Sequence, residues 1–118
     1  LSNIRKKDAK EVKKIQTRTL NSVIENSKFK NEKINFLSID VEGHELEVLR
    51  SIDLVKYCPE IIVLEFFEKN ILDDLEFHNQ NINEILNSKV YNHLIKNNYH
   101  FVSWYHFELF FVHDSVRK

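Results

Sequence analysis

The chain has 118 residues, of which 42% are hydrophobic and 12% aromatic, enough for one domain with its own core and too apolar for a disordered tail. A formal net charge of -1 excludes an overall field that would attract nucleic acid or an anionic membrane, and 30% charged residues describe an ordinary hydrated surface. No apolar run approaches the roughly 18 residues of a membrane span, no signal-peptide pattern opens the chain, and the single cysteine, Cys58, cannot form an internal disulfide, so a cytoplasmic protein is expected.

Arg5 to Lys14 is polar and mostly basic, but Asp8 and Glu11 interrupt it and it holds no aromatic residue on which a base could stack. It reads as a solvated lead-in to a short strand around Val12 to Gln16. From Thr19, which can cap a helix, Leu20, Val23 and Ile24 recur at the spacing of one helix face. Ile34 to Ile39 then alternates as a strand does and ends in Asp40, an acid at the strand's carboxyl end. After Gly43, the only glycine, Leu46, Val48, Leu49 and Ile52 form the buried stripe of a second helix, with Glu45 and Glu47 favourably placed in its first turn.

Pro59, the only proline, introduces Ile61 to Phe66, whose apolar, β-branched start predicts a strand buried on both faces and hence helices on both sides of a parallel sheet. Cys58 beside it reads as a small buried hydrophobe rather than a nucleophile. Ile82, Ile85, Leu86, Val90 and Leu94 predict a third helix, opened by Asn81 and Glu84 at capping-box spacing and closed by Asn97 and Asn98. His100 to Trp104 and Leu109 to Val112 predict an antiparallel hairpin. The fold class is therefore α/β, a single domain over 1–118 with parallel strands, crossover helices and a C-terminal antiparallel pair.

The run Phe36-Leu37-Ser38-Ile39-Asp40-Val41-Glu42-Gly43-His44-Glu45-Leu46-Glu47-Val48-Leu49 resembles the signature of FkbM-type methyltransferases, an apolar strand passing through Asp-Val-Glu-Gly-x-Glu into a helix. Thr19-Leu20 and Pro59 to Phe66 extend the likeness, which covers roughly Val12 to Val112. Asn21, Ser51 and Asn98 depart from the family's usual acid, glycine and glycine. The resemblance implies a partial Rossmann-like class I methyltransferase fold, S-adenosylmethionine as cofactor, and an acceptor hydroxyl on a sugar, glycan or other small metabolite. It also implies that the glycine-rich turn that cradles the cofactor belongs to an upstream half absent from this sequence, since Gly43 is already committed to the signature. A chain beginning at Leu1 is compatible with that. The alternative is a non-catalytic α/β binding or assembly module that keeps only the second half of the fold.

Ligands of open α/β sheets lie at the carboxyl ends of the strands, which makes Asp40 the leading site residue, lining the cofactor or reaction centre, and brings in Glu65 on the substrate side. Methyl transfer to a hydroxyl needs a group to take up the proton. Glu42 and His44 are the further catalytic candidates, Glu45 a substrate-side candidate, and Gly43 a cofactor-side residue acting through backbone geometry. Acids here also serve as caps of the turn or of the following helix, and the two roles are compatible. A metal reading would combine Asp40, Glu65 and a histidine, but no spacing demands it, and His78, His93, His100, His106 and His113 fit solvated or packing roles. Trp104, Tyr105, Phe107, Phe110 and Phe111 fit a core better than a binding surface. The strand at Ile34 to Ile39 would pair with a strand of the missing half, so self-association through its bare edge is expected unless the basic N-terminal segment folds over it.

Overall fold

The computed structural model describes residues 11–66 and 81–117. The Thr19 hydroxyl accepts from the Ser22 amide at 3.2 Å and opens α1, Leu20–Glu25, as the sequence predicts. The strand expected at Val12 to Gln16 is not formed. Residues 11–19 are exposed without regular structure, and Val12 and Ile15 are 81% and 83% exposed, because strand propensity without a neighbouring strand makes no ladder. His78 and Arg5 to Lys10 lie outside the described residues.

β1, Phe36–Ile39, pairs in parallel with β2, Ile61–Glu65, in the register Phe36 to Ile61 through Ile39 to Leu64, and α2, Glu45–Arg50, lies on the connection between them. β3, Tyr99–Tyr105, and β4, Glu108–His113, form the expected hairpin, and β4 then pairs antiparallel with β2. The sheet order is β1-β2-β4-β3, with β1 at one edge. Parallel strands, a crossover and a terminal antiparallel pair are all present, in a sheet that is mixed rather than parallel throughout.

The third helix is two. α3, Ile82–Asn87, begins with the expected capping box, the Asn81 side chain accepting from Asn83 and Glu84 reaching back to the Asn81 amide. At Ser88 the backbone becomes extended, and its hydroxyl donates to the Ile85 carbonyl at 2.7 Å while accepting from the Tyr91 amide at 3.1 Å. One side chain thus ends α3 and caps α4, Lys89–Lys96. Each short helix buries one residue of the expected stripe completely, Ile85 in α3 and Leu94 in α4, whereas Ile82 and Leu86 of α3 are about two-fifths exposed, at 42% and 40%. Asn98 takes a left-handed φ of 64° before β3, a conformation asparagine tolerates better than most residues.

The core gathers on one face of the sheet. Leu49, Ile62, Leu64, Ile85, Leu94, Tyr99, Leu109 and Phe111 belong to one buried cluster, against which Leu20, Ile24, Val48 and Val90 pack. The Tyr99 hydroxyl donates to the Pro59 carbonyl at 2.6 Å, which satisfies it inside the core. On the other face Phe36, Ile61, Val63, Phe110 and Val112 alternate with the core residues and stand outside that cluster. The described helices therefore pack on one side, not both, and the shortest extent of the molecule, 19 Å, suits two layers. Cys58 is half-buried with φ of 40°, rather than the fully buried residue expected. No helix among the described residues is long and apolar enough to cross a membrane.

Ile62 and Val55 give a direct check on where stability resides, since the first is fully buried and the second 83% exposed. Chemical denaturation is expected to show a loss of about 2–5 kcal/mol for Ile62→Ala and about 0.5 kcal/mol or less for Val55→Ala.

Candidate active site

Between β1 and α2 the chain reverses through Val41, Glu42 and Gly43. Glu42 and Gly43 have φ of 52° and 93°, consecutive positive values that a glycine at the second position relieves. A Cβ on Gly43 would meet nothing within 4 Å, so this glycine is present for its conformation rather than to avoid a clash with neighbouring protein atoms. Glu45 holds the turn in place: only 5% exposed, it accepts through Oε1 from the amides of Gly43 at 3.2 Å and Val41 at 3.4 Å. It is the only buried charged residue among those described. The sequence pattern places Glu45 in a helix's first turn and does not reveal that it turns back on the loop.

This turn sets Asp40 and Glu42 beside the end of β2. One carboxylate oxygen from each of Asp40, Glu42 and Glu65 lies within 4.8 Å of the others. Partial removal from water, a hydrogen bond with the Asp40 carboxyl, and the charges of Asp40, Glu42 and Glu45 push the Glu65 carboxyl up to about 7. Glu65, beside the Asp40 carboxyl, can thus take up or release a proton near neutral pH with little driving force. Three oxygens at that spacing also make a hard donor set of the kind that suits a divalent cation. Glu42, and not a histidine, is the third member.

His44 precedes α2 without capping it, is 58% exposed at its side chain, and approaches Glu47 at 3.9 Å rather than the carboxyl group of three. His93 is half-buried between α4 and α2, with burial pushing its imidazole below the ordinary value and a Leu49 backbone hydrogen bond opposing that. His100 is held between Asp114 and Arg117, each at 2.8 Å, and His113 meets Ser115 at 2.8 Å, so these rings fasten the end of the chain. Among the aromatic residues of the hairpin, Phe111 is core, Trp104 packs on the core, and Tyr105 is 64% exposed.

The clamp is open to measurement. Glu45→Ala removes a charged acceptor from two amides and is expected to lower stability by about 2 kcal/mol, with Glu45→Gln, which keeps one acceptor oxygen, costing less in the same denaturation series.

The sequence model of the methyltransferase FkbM domain matches residues 1–93 of the chain. No curated protein and no solved structure matches it. The matched span includes the turn with Asp40, Glu42, Gly43 and Glu45, the end of β2 with Glu65, and α3. It stops within α4, so the hairpin that the sequence likeness reaches, out to Val112, lies beyond it. With most of its length in the match, and the signature turn folded as a unit between two parallel strands, the chain belongs to the FkbM methyltransferase domain family.

Proposed function

We propose that the protein is an S-adenosylmethionine-dependent O-methyltransferase acting on a hydroxyl of a sugar, glycan or small metabolite, in which the Asp40–Glu65 pair takes up the hydroxyl proton. The observation that carries this reading is the meeting of the two carboxyls at the ends of adjacent parallel strands, where open α/β sheets bind their ligands. S-adenosylmethionine, when bound, supplies an electrophilic methyl group. The residues of this chain then orient the acceptor oxygen toward it and hold on Glu65, beside Asp40, the proton that leaves that oxygen, from where it returns to water at neutral pH.

A glycine-rich turn to cradle the cofactor has no counterpart in this sequence, because Gly43, its one glycine, is committed to the signature turn. We assign the cradle to an upstream half of the same fold, docked on the edge of β1 and over the face bearing the exposed Phe36 and the half-buried Ile61. Bare strand edges pair readily, so in its absence the same edge favours self-association. The lone cysteine supports a cytoplasmic setting.

In the complete enzyme, Asp40→Asn is expected to lower methyl transfer by about 100-fold or more while changing the unfolding midpoint little. Near-normal turnover would remove Asp40 from the reaction. A base must be ionised to act, so transfer is expected to rise as pH increases through about 7, the value toward which Glu65 is pushed. Glu42→Gln removes one of the charges that raise Glu65 and so moves that rise to lower pH. A profile of kcat against pH for the two proteins reads the sign directly.

Titration calorimetry addresses the division of the site. The 118-residue chain is expected to bind S-adenosylmethionine only weakly, because half a cleft leaves most of the ligand exposed. The same residues joined to a glycine-bearing half are expected to bind it stoichiometrically. Micromolar binding by the chain alone would overturn the assignment, and no binding by the joined protein would favour a non-catalytic module.

A further inference from the structure

The carboxyl pair belongs to a row that crosses the whole sheet. In the β2–β4 register Glu65 lies opposite Glu108, and in the β3–β4 register Glu108 lies opposite Tyr105. Cross-strand partners share a face. Leu64 and Leu109, the neighbours of Glu65 and Glu108, are in the core, so the row Asp40, Glu65, Glu108, Tyr105 stands on the opposite face.

Tyr105 is on that face because of an irregularity. The pairing shifts between Phe101, opposite Phe111, and Ser103, opposite Phe110, leaving Val102 as an extra residue. Regular alternation from the buried Tyr99 would place residues 101, 103 and 105 on the core side. The bulge reverses the phase instead, so that Trp104 packs on the core and Tyr105 turns outward, 64% exposed. The tip is fixed as well as aimed: the Trp104 indole donates to the His106 carbonyl at 2.7 Å, the Phe66 amide donates to the Phe107 carbonyl at 2.7 Å, and the His106 ring stands edge-on to Tyr105 with centroids 4.2 Å apart. Tyr105 is thus a large aromatic residue outside the core, 64% exposed on an anchored turn and in line with the carboxyl pair, with the His106 ring against its edge.

Resting on the methyltransferase reading of Asp40 and Glu65, we infer that Tyr105 is the platform on which the acceptor ring stacks, that Glu108 accepts a hydrogen bond from a second hydroxyl of it, and that the acceptor is a hydroxylated six-membered ring without an anionic group. Two strand spacings separate Tyr105 from Glu65, about 10 Å, which leaves room for one ring with its reacting hydroxyl at the far edge. The negative face of an aromatic ring attracts the polarised C–H bonds on the flat side of a pyranose, while carboxylates take its hydroxyls. The same four acids, Asp40, Glu42, Glu65 and Glu108, repel an acceptor that carries a carboxylate or phosphate.

Saturation-transfer NMR on the full-length protein, with neutral methyl pyranosides of gluco, galacto, manno and rhamno configuration, methyl glucuronide and acyclic sorbitol as probes, tests this. At least one neutral pyranoside is expected to bind, more tightly than glucuronide or sorbitol. Tyr105→Ala is expected to weaken it about five- to tenfold, with Tyr105→Phe and Tyr105→Trp restoring it. Unchanged pyranoside affinity in Tyr105→Ala, glucuronide binding as tight as the neutral sugar, or no probe bound at all would each overturn the inference. Transfer of a labelled methyl group from S-adenosylmethionine to the bound pyranoside is followed in parallel. Tyr105-dependent binding without any methylated product would uphold the platform and overturn the methyltransferase reading. Product formation indifferent to Tyr105→Ala in both KM and kcat would do the opposite.

Discussion

A single buried carboxylate holds the arrangement of this site together. Glu45 sits at the start of α2, whose Leu49 is anchored in the core, and reaches back to the amides of Val41 and Gly43. The loop must therefore close tightly enough to drive two successive residues to positive φ. With the loop closed in this way, the exposed carboxylates of Asp40 and Glu42 lie beside the end of β2, and a cluster of like charges forms with Glu65. Burying Glu45 is costly unless its oxygens are bonded, and the amides of the turn supply that bonding. The turn and the carboxylate each make the other tolerable.

Crowding acids in this way stores repulsion that folding must overcome elsewhere. Glu65 shows the cost in its raised proton affinity, and the core cluster beneath it, with Ile62, Leu64, Leu109 and Phe111 all essentially buried, supplies the offset. The two faces of β2 thus differ residue by residue: Ile62 and Leu64 fix the strand in the core, and Glu65 at its end joins the carboxyl cluster. Functional sites commonly concentrate such strain where the surrounding structure over-determines it.

Local chemistry was legible in the sequence wherever it was written in adjacent residues. The Thr19 cap, the Asn81–Glu84 box, the left-handed Asn98, the parallel pair and the hairpin all follow from spacing and residue type. The signature turn was legible as a motif, and its acids as a candidate site. What depended on tertiary neighbours was not. Val12 and Ile15 look like a strand but find no partner strand among the described residues, and Ser88, an ordinary polar residue in a helical stretch, breaks it because its hydroxyl satisfies both ends. Glu45 has the same pattern as Glu47, yet one is buried and the other exposed, since the difference lies in where the preceding loop runs. The outward face of Tyr105 was hidden for a related reason: a bulge changes side-chain phase without any glycine or proline to announce it.

Two of the chain's departures from the family pattern touch each other. Ser51, where a glycine is common, has φ of -85°, so no glycine is required, and its hydroxyl accepts from the Leu20 amide at 3.0 Å while donating to the Val48 carbonyl at 2.8 Å. Asn21, where an acid is usual, donates its amide to the Ser51 carbonyl at 3.0 Å and accepts from the Asp53 amide at 2.7 Å through its side chain. An acid at position 21 would make the same bond but set a second negative charge beside Asp53, while a glycine at position 51 would leave the Leu20 amide to solvent. The start of α1 and the end of α2 are thus sewn at three points, one through the backbone of Asn21 and Ser51 and two through their side chains, so the two helices keep their relation even if one of these side chains is lost.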